Sequence, residues 1–235
     1  MELRKFESEE AIALATADLF CEQLKEQPES VLCVAAGHSS IGPLQILAER
    51  CERGEVDFSK AHFIAMDEWL HMNETVPGSC GDFLHKQFLD RVNFKPENVR
   101  LIDGCAKDMD AECASLKAAI ESVGGFDLIL LGMGMNGHLA LNEPGTPFDS
   151  TLHTTVLDPI TKEVGKKYFE DTPELSGGVT IGLGDMAKGR DVVLIVFGEK
   201  KHDIIQKLLD TEPTTALPAS FLKTLPHARI WYELK

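Results

Sequence analysis

A single α/β domain spanning residues 1–235, with a largely parallel sheet covered by helices on both faces, is the fold class this sequence predicts. Three observations support it. Residues 31–36, 126–131 and 191–197 are nearly continuous apolar runs, as expected of strands buried on both faces of a parallel sheet. Segments with helical periodicity alternate with these runs. Nothing in the 235 residues, 43% of them hydrophobic, reads as a linker, repeat or low-complexity tract, and that length can bury one sizeable core.

Residues 8–26 are expected to form the first helix, capped by Ser8, with Ile12, Leu14, Ala15, Leu19 and Leu24 as its apolar stripe. The strand at 31–36 ends in Gly37-His38-Ser39-Ser40-Ile41-Gly42, and a helix is expected over roughly 43–53. Glycine and hydroxyls between a strand and a helix N-terminus suit an anion, because free N–H groups and the positive dipole end face it. Ser39 and Ser40 also fit ordinary helix caps. A second strand, 61–66, runs straight into Asp67-Glu68-Trp69. Two adjacent carboxylates are costly to hold together, and strand alternation sends them to opposite faces, so one can face a crevice while the other takes a structural partner. Pro77-Gly78 marks a turn and Ser79 caps a helix near 80–91. A short strand at 99–102, a helix at 108–122 and the glycine pair Gly124-Gly125 lead to the central strand, 126–131.

Beyond that strand come Gly132, Gly134 and Gly137, then Asn136, His138, Asn142 and Glu143, and a stop at Pro144-Gly145. In an open α/β sheet ligands bind beyond the carboxyl ends of strands, and a histidine beside a carboxylate there suits proton transfer. The glycines, Gly137 included, allow a ligand close to the main chain. The spacing also fits G-x-G-x-x-G, but a dinucleotide fingerprint belongs in the first strand-helix unit and needs a ribose-binding acid further on, so dinucleotide binding is not expected. Further strands are expected at 154–157, 179–183, 191–197 and 228–234, and helices at 160–168 and 199–209, with a turn and short helix at 214–222. Lys200 and Lys201 open a helix at the dipole end that disfavours cations, which marks one of them as an anion ligand or leaves both as solvated lysines. The whole pattern is Rossmann-like.

Charge and termini narrow the function classes. With 23 basic and 38 acidic residues the net charge is −15, so bulk binding to nucleic acid or an anionic membrane is not expected. An anionic substrate must be held by a few local cations and N–H groups. The N-terminus lacks a signal core, no apolar run reaches the ~18 residues of a membrane span, and six cysteines without CxxC spacing read as reduced thiols, together pointing to the cytoplasm. No metal or other cofactor is expected, since no residues fall at ligand spacing. A homo-oligomer is compatible with the sequence, which does not give the oligomeric state.

The stretch FDLILLGMGMNGHLALNEPG, with MDEW upstream, resembles the glucosamine-6-phosphate deaminase/isomerase family over nearly the whole chain. The stretches DEW…PGSCGDFL and TTALPASFL are closer still to the galactosamine-6-phosphate branch. The resemblance implies a small-molecule sugar phosphate as substrate and a ketose phosphate and ammonia as products. It implies His138 as the acid and base of ring opening, Glu143 as its orienting carboxylate, and Asp67 as the base at the amine-bearing carbon. Glu68 and Trp69 would shape the site floor. Gly37, His38, Ser39 and Ser40 would hold the phosphate, with Lys201 and Lys167 as cations. Three departures stand out. Asn136 replaces the Asp of some members, leaving charge compensation of His138 to Glu143. The phosphate loop lacks the usual Thr and Pro. The chain ends at Lys235, where longer members carry an extension associated with allosteric control by an acetylated sugar phosphate, so that control is not expected. Two rivals remain: a 6-phosphogluconolactonase, whose loop continues differently after the histidine, and a non-catalytic sugar-phosphate sensor, which would have no need of Asp67, His138 and Glu143 together.

Overall fold

The computed structural model describes residues 1–171 and 173–234; Thr172 and Lys235, the end of the chain considered above, lie outside them. Seven strands form one wholly parallel sheet. In chain order its strands are β1 (Glu2–Phe6), β2 (Val31–Val34), β3 (His62–Ile64), β5 (Val99–Arg100), β6 (Leu128–Leu131), β9 (Asp191–Val196) and β10 (Ala228–Glu233). In space the order is β1-β10-β9-β6-β2-β3-β5. β4 (Asp67–Trp69), β7 (His153–Val156) and β8 (Gly177–Thr180) make a separate antiparallel sheet in the order β4-β8-β7. The helices are α1 (Glu9–Glu26), α2 (His38–Glu52), α3 (Cys80–Gln87), α4 (Met109–Ser122), α5 (Pro159–Gly165), α6 (Leu183–Met186) and α7 (His202–Asp210). None is long and apolar enough to cross a membrane.

Local chemistry explains the boundaries. Ser8, Ser79 and Asp108 accept the N–H groups of Ala11, Asp82 and Ala111, which fixes the starts of α1, α3 and α4. The central strands β2, β6 and β9 are buried on both faces. Asp127, the one acid beside the central run, is tolerated because it accepts the Val31 N–H at 2.8 Å and pairs with Arg190 at 3.0 Å.

The structure differs from the sequence expectations in three places that matter for function. α2 begins at His38, five residues earlier than expected, so the hydroxyl stretch is the first turn of the helix rather than a loop before it. Pro43 then lies inside the helix, where it removes only its own N–H bond. Asp67-Glu68-Trp69 does not prolong β3 but starts the second sheet, pairing with Thr180, Val179 and Gly178. β1 has no counterpart in the expected elements: its residues are exposed up to Phe6, so no buried face shows in the sequence.

From β2 the chain moves outward through β3 to β5, then crosses back to β6 and on to β9 and β10. Connections therefore diverge at the β2–β6 junction, the switch point where an open α/β sheet leaves a crevice beyond its strand ends.

Candidate active site

Two loops meet at that junction. A side chain at Gly132, just after β6, would lie 3.5 Å from the Ser39 hydroxyl in the first turn of α2. Into the same place come His138 from the loop after β6, Lys201 from the turn after β9, and Tyr168 from the segment after α5.

His138 is held through one nitrogen. Its Nδ1 lies 2.8 Å from Asn136 Oδ1 and 3.0 Å from Thr161 Oγ1, with Glu143 Oε2 at 3.6 Å. Asn136 Nδ2 donates to Glu143 Oε2 at 2.8 Å. Since a carboxylate only accepts, the amide must turn its oxygen to the imidazole, so Nδ1 carries the proton and Nε2 keeps the lone pair. Burial pushes the His138 pKa below its ordinary value; Glu143 opposes this and Lys201 reinforces it. The neutral imidazole results. The ring lies flat against Gly134, where an added Cβ would come within 2.2 Å of it.

Asp67 and Glu68, though adjacent, have different fates. Glu68 is 1% exposed and accepts N–H groups from Trp69, Cys80 and Gly81 at 2.8, 3.0 and 2.8 Å, sealing the N-terminus of α3. These bonds make it a support for the element beside it, under the expected site floor. Asp67 receives no such set of amides. Burial, then the charge of Glu68, raises its pKa to about 7, with a hydrogen bond from the Cys80 thiol pulling the other way.

Asp67, on β4, and His138, on the loop after β6, are tied to one frame. Asp67 faces Thr180 across β4 and β8, and the Leu141 N–H donates to Thr180 Oγ1 at 3.3 Å. The fully buried Asn142 donates to the carbonyl of Ile181 at 2.9 Å, and the Ile181 N–H donates to Met66, next to Asp67. The loop bearing the imidazole is thus fastened to the strand beside the acid.

Of the anion-binding candidates, Ser39 is half-buried beside Gly132. Ser40 is not the cap that the sequence allowed: Gly37 holds the N-cap position with no side-chain cap bond, and the Ser40 hydroxyl, inside the helix, donates toward the Ala35 and Gly37 carbonyls. The main chain of Gly37 caps α2, and His38 sits exposed next to Phe197, ring centroids 6.4 Å apart. Lys201, not Lys200, turns inward, its ammonium donating to the Met133 carbonyl. Burial, then the nearby Lys167, lowers its pKa to about 8. The Lys167 ammonium is 4.9 Å from the Tyr168 ring, and burial and Lys200 lower its pKa too. Two partly desolvated cations that disfavour each other form a place an anion would relieve, despite the net charge of −15. Gly137 forms a turn in this loop: its φ is +84°, its N–H donates to Gly134, and its carbonyl accepts from Ala219. Thr161 and Tyr168 went unnoticed in the sequence, because a lone Thr or Tyr on an irregular segment carries no spacing signal.

Comparison with known proteins places the chain in a family. Residues 7–231 match the family described as glucosamine-6-phosphate isomerases/6-phosphogluconolactonase. A glucosamine-6-phosphate deaminase of Lysinibacillus sphaericus (strain C3-41) is 38% identical over 217 residues, covering 92% of each chain. A solved monomeric glucosamine-6-phosphate deaminase of the NagB superfamily superposes with a TM-score of 0.95 at 26% identity, covering 99% of this chain and 97% of that one. The 6-phosphogluconolactonase of Thermotoga maritima shares the fold, with a TM-score of 0.77 at 19% identity over 100% of this chain and 99% of that one. Matched from near its first strand to its last, the chain belongs to the glucosamine-6-phosphate isomerase/6-phosphogluconolactonase family.

Proposed function

We propose that the protein is a hexosamine-6-phosphate deaminase/isomerase that takes galactosamine 6-phosphate in preference to its glucose epimer, giving tagatose 6-phosphate and ammonia. The observation that carries the reaction class is the fastening of the loop that bears His138, its Nδ1 held by Asn136, to the strands beside a buried carboxylate, Asp67, whose pKa burial raises to about 7. The epimer preference follows the resemblance of DEW…PGSCGDFL and TTALPASFL to the galactosamine branch.

Lys201, Lys167, Ser39 and the first turn of α2 would hold the phosphate. His138 Nε2 would take the proton of the anomeric hydroxyl and return one to the ring oxygen, opening the pyranose. Glu143, through Asn136, would stabilise the imidazolium formed in passing. Asp67 would then remove the proton from the amine-bearing carbon. Protonation of the neighbouring carbon leaves an imine, which water hydrolyses to the ketose with loss of ammonia. Asp67 suits this step, because a carboxylate with a raised pKa is a stronger base than one in water.

The test is ammonia release from each epimer, with wild type and Asp67→Asn. Wild-type turnover, a higher kcat/KM for galactosamine 6-phosphate, and a loss of about a thousandfold or more in kcat for the variant with little change in the affinity of a non-reacting sugar phosphate are expected. Equal loss of affinity would remove Asp67 from the role of base, and preference for the glucose epimer would reverse the substrate assignment.

A further inference from the structure

Tyr168 is absent from the set of residues that move protons or hold phosphate, yet its phenol reaches into the same crevice. An added Cβ on Gly37, at the N-cap of α2, would sit 3.7 Å from the Tyr168 hydroxyl. The His38 N–H hydrogen-bonds to that hydroxyl, while burial, with the nearby Cys80 and Asp67, pushes the phenol's pKa up. The ring lines a small void together with Ala36, Trp69, Gly78, Ser79, Cys80 and Phe83. Its backbone is seated against Gly78, where a Cβ would come within 2.4 Å of the Tyr168 carbonyl and 2.7 Å of Phe169. The phenol oxygen thus lies beside the N-terminus of α2, and its ring borders Cys80, whose thiol hydrogen-bonds the proposed base Asp67 on β4. Because it accepts the His38 N–H, its own proton remains to be donated.

This position has a chemical meaning that rests on the proposed function. In a hexosamine 6-phosphate the phosphate is on C6 and the proton to be removed is on C2. A group lying between the phosphate cradle and the base faces the middle of the sugar. The middle carries the C4 hydroxyl, whose orientation is all that separates galactosamine from glucosamine 6-phosphate. We propose that Tyr168 is a specificity-determining residue whose hydroxyl hydrogen-bonds the C4 hydroxyl of the substrate and sets the preference between the two epimers. A site that hydrogen-bonds a substrate hydroxyl discriminates against a misplaced one, since the protein group is then left unpaired.

Tyr168→Phe removes the oxygen while keeping the ring that packs near Gly78 and under the Lys167 ammonium. Turnover of both C4 epimers and of the 4-deoxy analogue would be measured for wild type and variant, with the melting temperature of each. The wild type should lose about tenfold in kcat/KM between its preferred epimer and the 4-deoxy analogue. The variant should lose about tenfold on the preferred epimer and under threefold on the 4-deoxy analogue, drawing the epimer ratio toward one. An equal loss on all three substrates would make Tyr168 a structural residue and overturn the assignment while leaving the reaction class intact. Wild-type protein that releases ammonia from neither epimer would overturn the proposed function and this inference with it.

Discussion

At Asp67 the properties that make a base also strain the fold. Burial raises its pKa to about 7, so kcat/KM should rise with pH through that region as the carboxylate forms. Lys201, at about 8, loses its charge above that, so the Michaelis constant for a sugar phosphate should climb on the alkaline side. Lys201→Met should raise the Michaelis constant about tenfold or more at pH 7 and flatten its alkaline rise; a pH–rate series on both proteins checks this. The same carboxylate has a stability consequence. Its folded pKa is above the unfolded value near 4, so the native state holds the proton more tightly, and stability falls as pH rises from about 4 to 7 and stays reduced above. The full penalty is on the order of 4 kcal/mol. Asp67→Asn should therefore raise the melting temperature at pH 8 and change it little at pH 4, which thermal unfolding at the two pH values reads directly.

At the scale of elements, the loop after β6 works by close contact. Any side chain at Gly134 would occupy the space of the His138 ring. Gly134→Ala should lower kcat about a hundredfold by displacing Nε2, with little loss of phosphate affinity, since the α2 turn and Lys201 are untouched; steady-state kinetics and inhibition by a non-reacting sugar phosphate separate the two. This loop was legible in the sequence because glycines, an amide, a histidine and a carboxylate followed an unmistakable buried strand. The three-stranded sheet was not. β4 and β8 are three and four residues long, and their pairing joins segments over a hundred residues apart, which no local periodicity encodes. For the same reason the amides of Cys80 and Gly81 that claim Glu68 were not foreseen: the helix near 80–91 was expected, but its seat against residues 67–69 was not. Thr161 shows the remaining gap: its contact with His138 bridges 23 residues of irregular chain.

Across the whole molecule, a net charge of −15 surrounds a site built for an anion. The mean field repels the substrate at a distance, while Lys201 and Lys167 attract it at short range. Raising the salt from ~10 to ~150 mM shortens the screening length from ~30 to ~8 Å, which weakens the distant repulsion more than the contact with partly buried ammonium groups. kcat/KM should therefore increase over that range, and a decrease would show that the lysines dominate even at long range. The largely parallel sheet followed from the alternation of apolar runs with helices, as did the placing of residues 132–143 beyond a strand end. The β2–β6 adjacency that brings Ser39 to Gly132 followed only from the three-dimensional order of the strands.

The dipeptide at 67–68 is asymmetric in one respect that reaches beyond its own neighbourhood. A helix end here claims the second carboxylate of the two, its amides opposing the burial that raises that group's pKa, while the first has only the Cys80 thiol to oppose the same push. Order along the chain, and not merely the presence of two acids, thus decides which one the helix holds. Exchanging them, with Glu at 67 and Asp at 68, would keep composition and charge yet fit neither niche.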